Sequence, residues 1–407
     1  MHFETLALSI SFILLALTKH TFGNTFTFSQ EIALILLSFC YVYSIAKYGI
    51  IDRVGLIFAA ISSAVFLSIF VLEDFNNVPN LVNTILIFFS FPFVIQIARL
   101  FYGKKAWRFG NIALFVVLAL TALGGLAIGW DVSYLGDPRG ARLVAGWKKP
   151  SFLAEAASLL IFIMVARRHV QGGALIGVKG LVPFWILIFG LFLVIVLTGS
   201  RATLGASVIF LYWMWQETRK EKPKLVLKFL LSFGVLAAVL WFSSYEVDIK
   251  ALNETSSGRW RMLVIETKTH LSSLDYWLFG NADAYMVFLT NNFGNIVYHI
   301  DSFIGERLIV TGFLGLLLLA LCIWHFYLRM GTVGRSVIMA CLFYGIFEHG
   351  VFNVTSLFSI FSMLISAISA RQLGALRPSL EKALDQPRSA IYSRRWRHGR
   401  SLRQDHR

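Results

Sequence analysis

The chain repeats one pattern, in which runs of roughly 20 apolar residues are divided by polar connections. A helix of that length matches the hydrocarbon thickness of a bilayer. Twelve such runs are read, near 3–19, 30–48, 54–72, 80–100, 110–129, 151–167, 181–198, 201–216, 225–243, 303–328, 335–349 and 351–370. Composition points the same way. Apolar residues make up 57% of the chain and charged residues 14%, against roughly 45–50% and about 25% in soluble domains. These values exclude a water-soluble enzyme, a disordered chain and a disulfide scaffold. The first run carries Glu4 and has neither a basic leader nor a small-residue cleavage site, so it reads as a span and not a cleaved signal peptide. The last two runs lie close enough to be a tight hairpin or one broken helix. Cys40, Cys322 and Cys341 all stand in apolar stretches with no metal spacing, and read as small buried hydrophobes.

Charge orients the map. The chain has 37 Lys and Arg against 22 Asp and Glu, a net charge of +15. With the N-terminus inside, basic residues such as Lys47, Arg53, Lys104, Lys105, Arg167, Arg168 and Lys220 fall on the cytoplasmic side, and the bias survives without the tail. The expected fold is an all-α polytopic membrane protein of about 12 transmembrane helices, N-in and C-in. Residues 1–370 form a single transmembrane domain. A large, partly helical outer loop spans 244–302, between spans nine and ten, and a basic cytoplasmic tail spans 371–407. The tail has two readings, an anchor on anionic lipid or a disordered stop-transfer segment.

Two outer connections are long, 130–150 and 244–302, and long connections are commonly functional. In the second, the stretch WRMLVIETKTHLSSL has apolar residues at helical spacing and is expected to lie partly helical on the membrane surface. The outer basic residues gather here. Arg139, Arg142, Lys148 and Lys149 are in the first loop, and Arg201 stands at the mouth of span eight. Lys250, Arg259, Arg261, Lys268 and Arg307 follow, with Lys19 apart from them. Solvation in a long loop accounts for Lys250 and Lys268. It suits Arg201 poorly, because a charge ending an apolar run is costly unless it faces a cavity and a partner.

The motifs resemble the superfamily of O-antigen ligases and Wzy O-antigen polymerases, glycosyltransferases of the bacterial inner membrane. They are Leu197-Thr198-Gly199-Ser200-Arg201, Ser257-Gly258-Arg259-Trp260, Leu278-Phe279-Gly280-Asn281, and His299-Ile300-Asp301-Ser302-Phe303 running into Gly312-Phe313-Leu314-Gly315. Each is weak alone; their order on this topology is what resembles the family, over roughly 130–330. The resemblance implies a donor glycan on undecaprenyl pyrophosphate, an active site on the periplasmic side, and a fold in which the 244–302 loop caps a cavity. A ligase hands the glycan to lipid A-core, and a polymerase hands it to the next repeat unit. Asp301 after the histidine departs from the usual ligase pattern and tilts the reading toward polymerase. Membrane lipid and a chain-length regulator are further expected partners; nucleic acid is not.

Transfer from a glycosyl pyrophosphate has a good leaving group and needs no general acid. The charge building on the diphosphate must be stabilised. The outer side shows no Asp-x-Asp and no cluster at metal-ligand spacing, so no metal or cofactor is expected. Guanidinium groups grip phosphate oxygens in a bidentate fork, and preorganised charge in a water-poor site is a large catalytic contribution. Arg201 and Arg259 are assigned to the pyrophosphate, with Arg142 and Lys149 as weaker candidates. His299 or Asp301 would accept the acceptor hydroxyl's proton. The bland alternative at that point is a helix cap by Asp301 or Ser302, with Glu306 in the first turn. Glu155 would bind a sugar hydroxyl, or cap its helix and pair with Lys149. Glu348-His349 reads as a solvated hairpin tip or a proton relay, and Trp277 as an interfacial anchor or a sugar platform. A lipid-linked oligosaccharide flippase is the rival of another class, but it usually shows two similar halves, which are not evident here.

Overall fold

A computed structural model describes residues 3–25, 28–101, 108–133, 141–170, 181–218, 271–283, 290–291, 294–295, 302–348, 351–352 and 356–384. These form helices α1 (Phe3–Thr18), α2 (Ser29–Tyr48), α3 (Arg53–Leu72), α4 (Val78–Ala98), α5 (Arg108–Ala127), α6 (Pro150–Val170), α7 (Leu181–Leu197) and α8 (Arg201–Thr218). The short α9 (Leu274–Phe279) follows, then α10 (Phe303–Arg329), α11 (Thr332–Phe347) and α12 (Leu357–Leu384). Two small antiparallel ribbons complete the described structure: β1 (Asp131–Ser133) with β2 (Ala141–Leu143), and β3 (Thr290–Asn291) with β4 (Gly294–Asn295). Eleven of the twelve apolar runs coincide with helices; the ninth, 225–243, lies outside the described residues, as does the expected surface helix before Leu271. Among the described residues, six helices are long and apolar enough to cross a membrane.

The side-chain distribution is that of a helical membrane protein. Leu72, Phe115, Leu126 and Phe189 are each at least 70% exposed on the outside of the bundle. Apolar surface of that kind costs about 25 cal/mol per Å² in water and nothing comparable in lipid. Small hydroxyl residues lie inside instead. In α12, Ser359, Ser362, Ser366 and Ser369 are all buried. Ser366 and Ser369 donate back to Ser362 O and Ile365 O, which satisfies the hydroxyls without a second helix. Helix α6 is buried on nearly every side, as expected of a helix apolar all round. It meets α8 through a 2.9 Å contact between the Ser158 and Ser207 hydroxyls, where two small side chains let the helices approach closely.

Local chemistry sets the helix ends. Asp52 caps α3 by accepting from Gly55 N at 2.9 Å, Asn77 caps α4 through Asn80 N, and Ser302 caps α10 through Gly305 N. The cap expected near Asp301 is therefore supplied by Ser302, with Glu306 in the first turn as read from the sequence. The eleventh and twelfth runs are two separate helices packed side by side, so the broken-helix alternative is corrected. The last helix begins at Leu357, later than the 351 expected, and runs on to Leu384, into the segment assigned to the tail. Hydropathy ends near Ala370, and the helix runs on past it through Gly374 and Pro378. Helix α10 is not continuous either: Gly312 has φ 62° and ψ −169° inside it.

Candidate functional site

One end of the bundle collects the α1–α2 and α3–α4 connections, the β1–β2 ribbon, the α7–α8 turn and the start of α10 against the end of α11. This end is called the loop face below. Its tightest feature is the α7–α8 turn. Gly199 N donates to Val196 O at 2.9 Å and takes φ +68°, a conformation that favours glycine. Thr198 donates to Ile195 O and receives Ser200 N, while the Ser200 and Thr203 hydroxyls meet at 2.8 Å. The Thr-Gly-Ser sequence thus ends one helix and starts the next, and it delivers Arg201 as the first residue of α8, exposed at the loop face. The stem of Arg142, from β2, packs against this turn. A methyl placed on Gly199 would lie 3.4 Å from Arg142 Cδ and 3.7 Å from Nε. Residues 142 and 199–201, remote in sequence, share one spot.

The connection from β2 to α6 is firmly held. Trp147 is buried and donates through Nε1 to Thr121 Oγ1 at 3.2 Å. Thr21 N and Oγ1 both donate to Gly146 O, and Lys148 N donates to Lys19 O at 2.9 Å. His20 is fully buried beneath it, packed edge-on to Trp147 and accepting from Phe22 N through Nδ1. Burial holds the His20 imidazolium below its ordinary value, partly offset by the carbonyls of Ala145 and Leu120.

This connection leads to Glu155, which is 7% exposed. The Tyr344 hydroxyl of α11 donates to Glu155 Oε1 at 2.7 Å. Lys19, Lys149 and Glu348 are within electrostatic reach. The Lys19 ammonium lies 4.4 Å and the Lys149 ammonium 5.9 Å from the centre of the Phe152 ring. Burial lowers Lys19 from its ordinary value; Glu155 pulls it back up, while Lys149 and Lys148 push it further down.

A third feature fixes the end of the long loop. Gly280, at φ +84°, lies against the break at Gly312, so that a methyl on either glycine would fall 2.5 Å from the other's backbone nitrogen. Asn281 N donates to Ile309 O at 2.7 Å, and Trp277 stacks on Phe313 with centroids 5.8 Å apart. Asp283 Oδ1 accepts from Asn76 N and Asn77 N, and Asn80 Nδ2 donates to Ala282 O. Two of the quoted motifs, Leu278–Asn281 and Gly312–Gly315, are therefore two sides of one contact.

Of the candidate site residues, Arg201 opens α8 directly after the α7–α8 turn, and Arg142 packs its stem against Gly199 of that turn. Lys149 stands exposed beside Phe152. Glu155 is a buried side chain held by Tyr344, and neither caps α6 nor makes an ion-pair contact with Lys149. Arg259, His299 and Asp301 lie outside the described residues. Arg307 turns inward: it is 2% exposed, donates to Thr84 Oγ1 at 2.8 Å and pairs with Glu306. Trp277 is half-buried, with one ring face stacked on the exposed Phe313. Glu348 is half-buried and its backbone carbonyl accepts from Phe303 N at the start of α10, while His349 lies outside the described residues. Sequence reading passed over Tyr344 and Lys19, because one sits in an apolar run, the other ends one, and nothing in their spacing ties them to Glu155. The three cysteines are buried, as expected. No protein-family model, curated protein or solved structure matches the chain.

Proposed function

We propose that the chain is a membrane glycosyltransferase that polymerises lipid-linked polysaccharide repeat units. It takes glycan from undecaprenyl pyrophosphate and attaches it to an acceptor sugar hydroxyl at the periplasmic side of a bacterial inner membrane. The observation that carries this reading is the meeting of Arg142 with the Thr198–Arg201 turn at the loop face. Arg201 leaves the turn and the stem of Arg142 packs against it, and guanidinium groups suit the oxygens of a diphosphate. Lys149, exposed on the same connection, adds charge there, and Arg259 is a further candidate read from the sequence. The leaving diphosphate is steadied by these cations as the anomeric C–O bond breaks. The acceptor oxygen attacks from the opposite side, which inverts the anomeric centre, and its proton passes to a base; His299 and Asp301 are the candidates read from the sequence.

The test is substitution in the producing cell. Arg142→Ala, Arg201→Ala, Arg259→Ala and His299→Ala are compared at matched membrane levels, with surface glycan resolved on gels. A polymerase leaves single-repeat product. Long chains retained on the carrier lipid indicate a ligase that uses lipid A-core instead, and repeat units trapped in the cytoplasm indicate a flippase. Normal glycan in all four variants refutes the assignment. Inversion is checked separately by NMR of the product linkage, where retention of configuration dismisses single displacement.

A further inference from the structure

Resting on that reading, we infer that Glu155 takes the proton from the acceptor hydroxyl and that Tyr344 positions it. Among the described residues, Glu155 is the one buried carboxylate at the loop face; the other buried acid, Asp52, caps α3 at the opposite end. A carboxylate kept for structure alone is normally satisfied by several donors or by a direct cation. Glu155 has neither among the described residues. One oxygen is fixed by the Tyr344 hydroxyl at 2.7 Å. The other accepts no hydrogen bond from a described residue, and it is not among the sealed polar atoms. The position is also wrong for a cap, since Glu155 lies beyond the first turn of a helix that begins at Pro150. Lys19 is near enough to be felt electrostatically but makes no ion-pair contact, so the open oxygen keeps its basicity.

The placement fits the task. Arg142 and Glu155 are joined by one connection, Leu143–Lys149, which the Trp147–Thr121, Lys148–Lys19 and Thr21–Gly146 bonds hold in place. The group that grips the donor and the group that faces the acceptor are thus fixed relative to each other, which is what proximity and orientation require. In the step, the acceptor O–H bond breaks and its proton goes to the open carboxylate oxygen of Glu155. The freed electron pair forms the new bond to the anomeric carbon. The bond from that carbon to the diphosphate oxygen breaks, and its electron pair leaves with undecaprenyl diphosphate.

The experiment uses membranes bearing the full chain and, as probe, the lipid-linked glycan extracted from a strain lacking it. Glu155→Gln keeps size and hydrogen bonding but cannot take the proton. It is expected to lower kcat by about 10²–10⁴-fold with KM within about threefold. Glu155→Asp retains part of the rate, and Tyr344→Phe loses roughly three- to tenfold in kcat. Should Glu155→Gln fail to accumulate in the membrane, the Asp and Phe variants carry the same kcat-against-KM comparison. A raised KM with unchanged kcat assigns Glu155 to sugar holding only and overturns the inference. So does an unchanged Glu155→Gln rate alongside a His299→Ala collapse. Wild-type membranes that elongate none of the extracted glycan overturn the proposed function itself, whatever the Glu155 variants do.

Discussion

Replacing Gly312 by alanine tests how the end of the long loop is held. The residue has φ +62° with ψ near −169°, a region that is essentially glycine-only. Such strain costs on the order of 1–3 kcal/mol. The new methyl would also lie 2.5 Å from both Gly280 N and Leu278 O, and backbone at that distance must move. Undocking forfeits the hydrogen bond from Asn281 N to Ile309 O, about 1 kcal/mol, and separates Trp277 from Phe313, about 0.5–1.5 kcal/mol. The variant escapes the strain by closing α10 into an unbroken helix and releasing the 271–283 segment. The balance shifts by roughly 3–5 kcal/mol, and 1.36 kcal/mol is tenfold. The Asn281 amide should therefore exchange its hydrogen about 10²–10⁴ times faster, read by hydrogen-exchange mass spectrometry on detergent-solubilised protein. Gly280→Ala strikes the same contact from the other side, so the double variant should cost little more than either single one. Unchanged Asn281 exchange in Gly312→Ala, or fully additive costs, would refute the docking argument.

Three further outcomes follow from other contacts. Gly199→Ala meets only ordinary packing from Arg142, so its cost is that of the left-handed backbone, about 1–2 kcal/mol, seen as a lowered midpoint of thermal unfolding. Asp52 caps α3 and lies 3.2 Å from both His325 Nε2 and the half-exposed Arg329; Asp52→Ala should cost about 2 kcal/mol and Asp52→Asn, which keeps the cap, about half of that in chemical denaturation. His20 favours its neutral form in the fold, so its contribution to stability is fully present above the ordinary value of 6.5 and is lost as pH falls through its lower folded value; His20→Gln should flatten that part of the stability–pH curve.

Much of the helix map was legible because lipid imposes a length and a composition on each segment that a linear scan reads directly. The helix start at Ser302 was legible for a local reason, since a cap involves residues three apart. The break at Gly312 was not. Glycine in an apolar run reads as neutral, and its conformation is set by Gly280, which approaches from a different part of the chain. The extension of α12 to Leu384 was not legible either, because hydropathy stops near Ala370 and Gly374 and Pro378 argue against helix beyond it.

The site divides in the same way. Apolar run length and the excess of positive charge, read from the sequence alone, mark this as a helical membrane chain. They also single out Arg201 as a charge that ends an apolar run, where charge is costly. Only the tertiary structure decided that Arg142 lies on the Gly199 turn, that Arg307 is spent on Thr84 and Glu306, and that Tyr344 reaches Glu155. The reason is physical. A helix buries or exposes a side chain according to which neighbours it packs against, and those neighbours are chosen by the whole bundle.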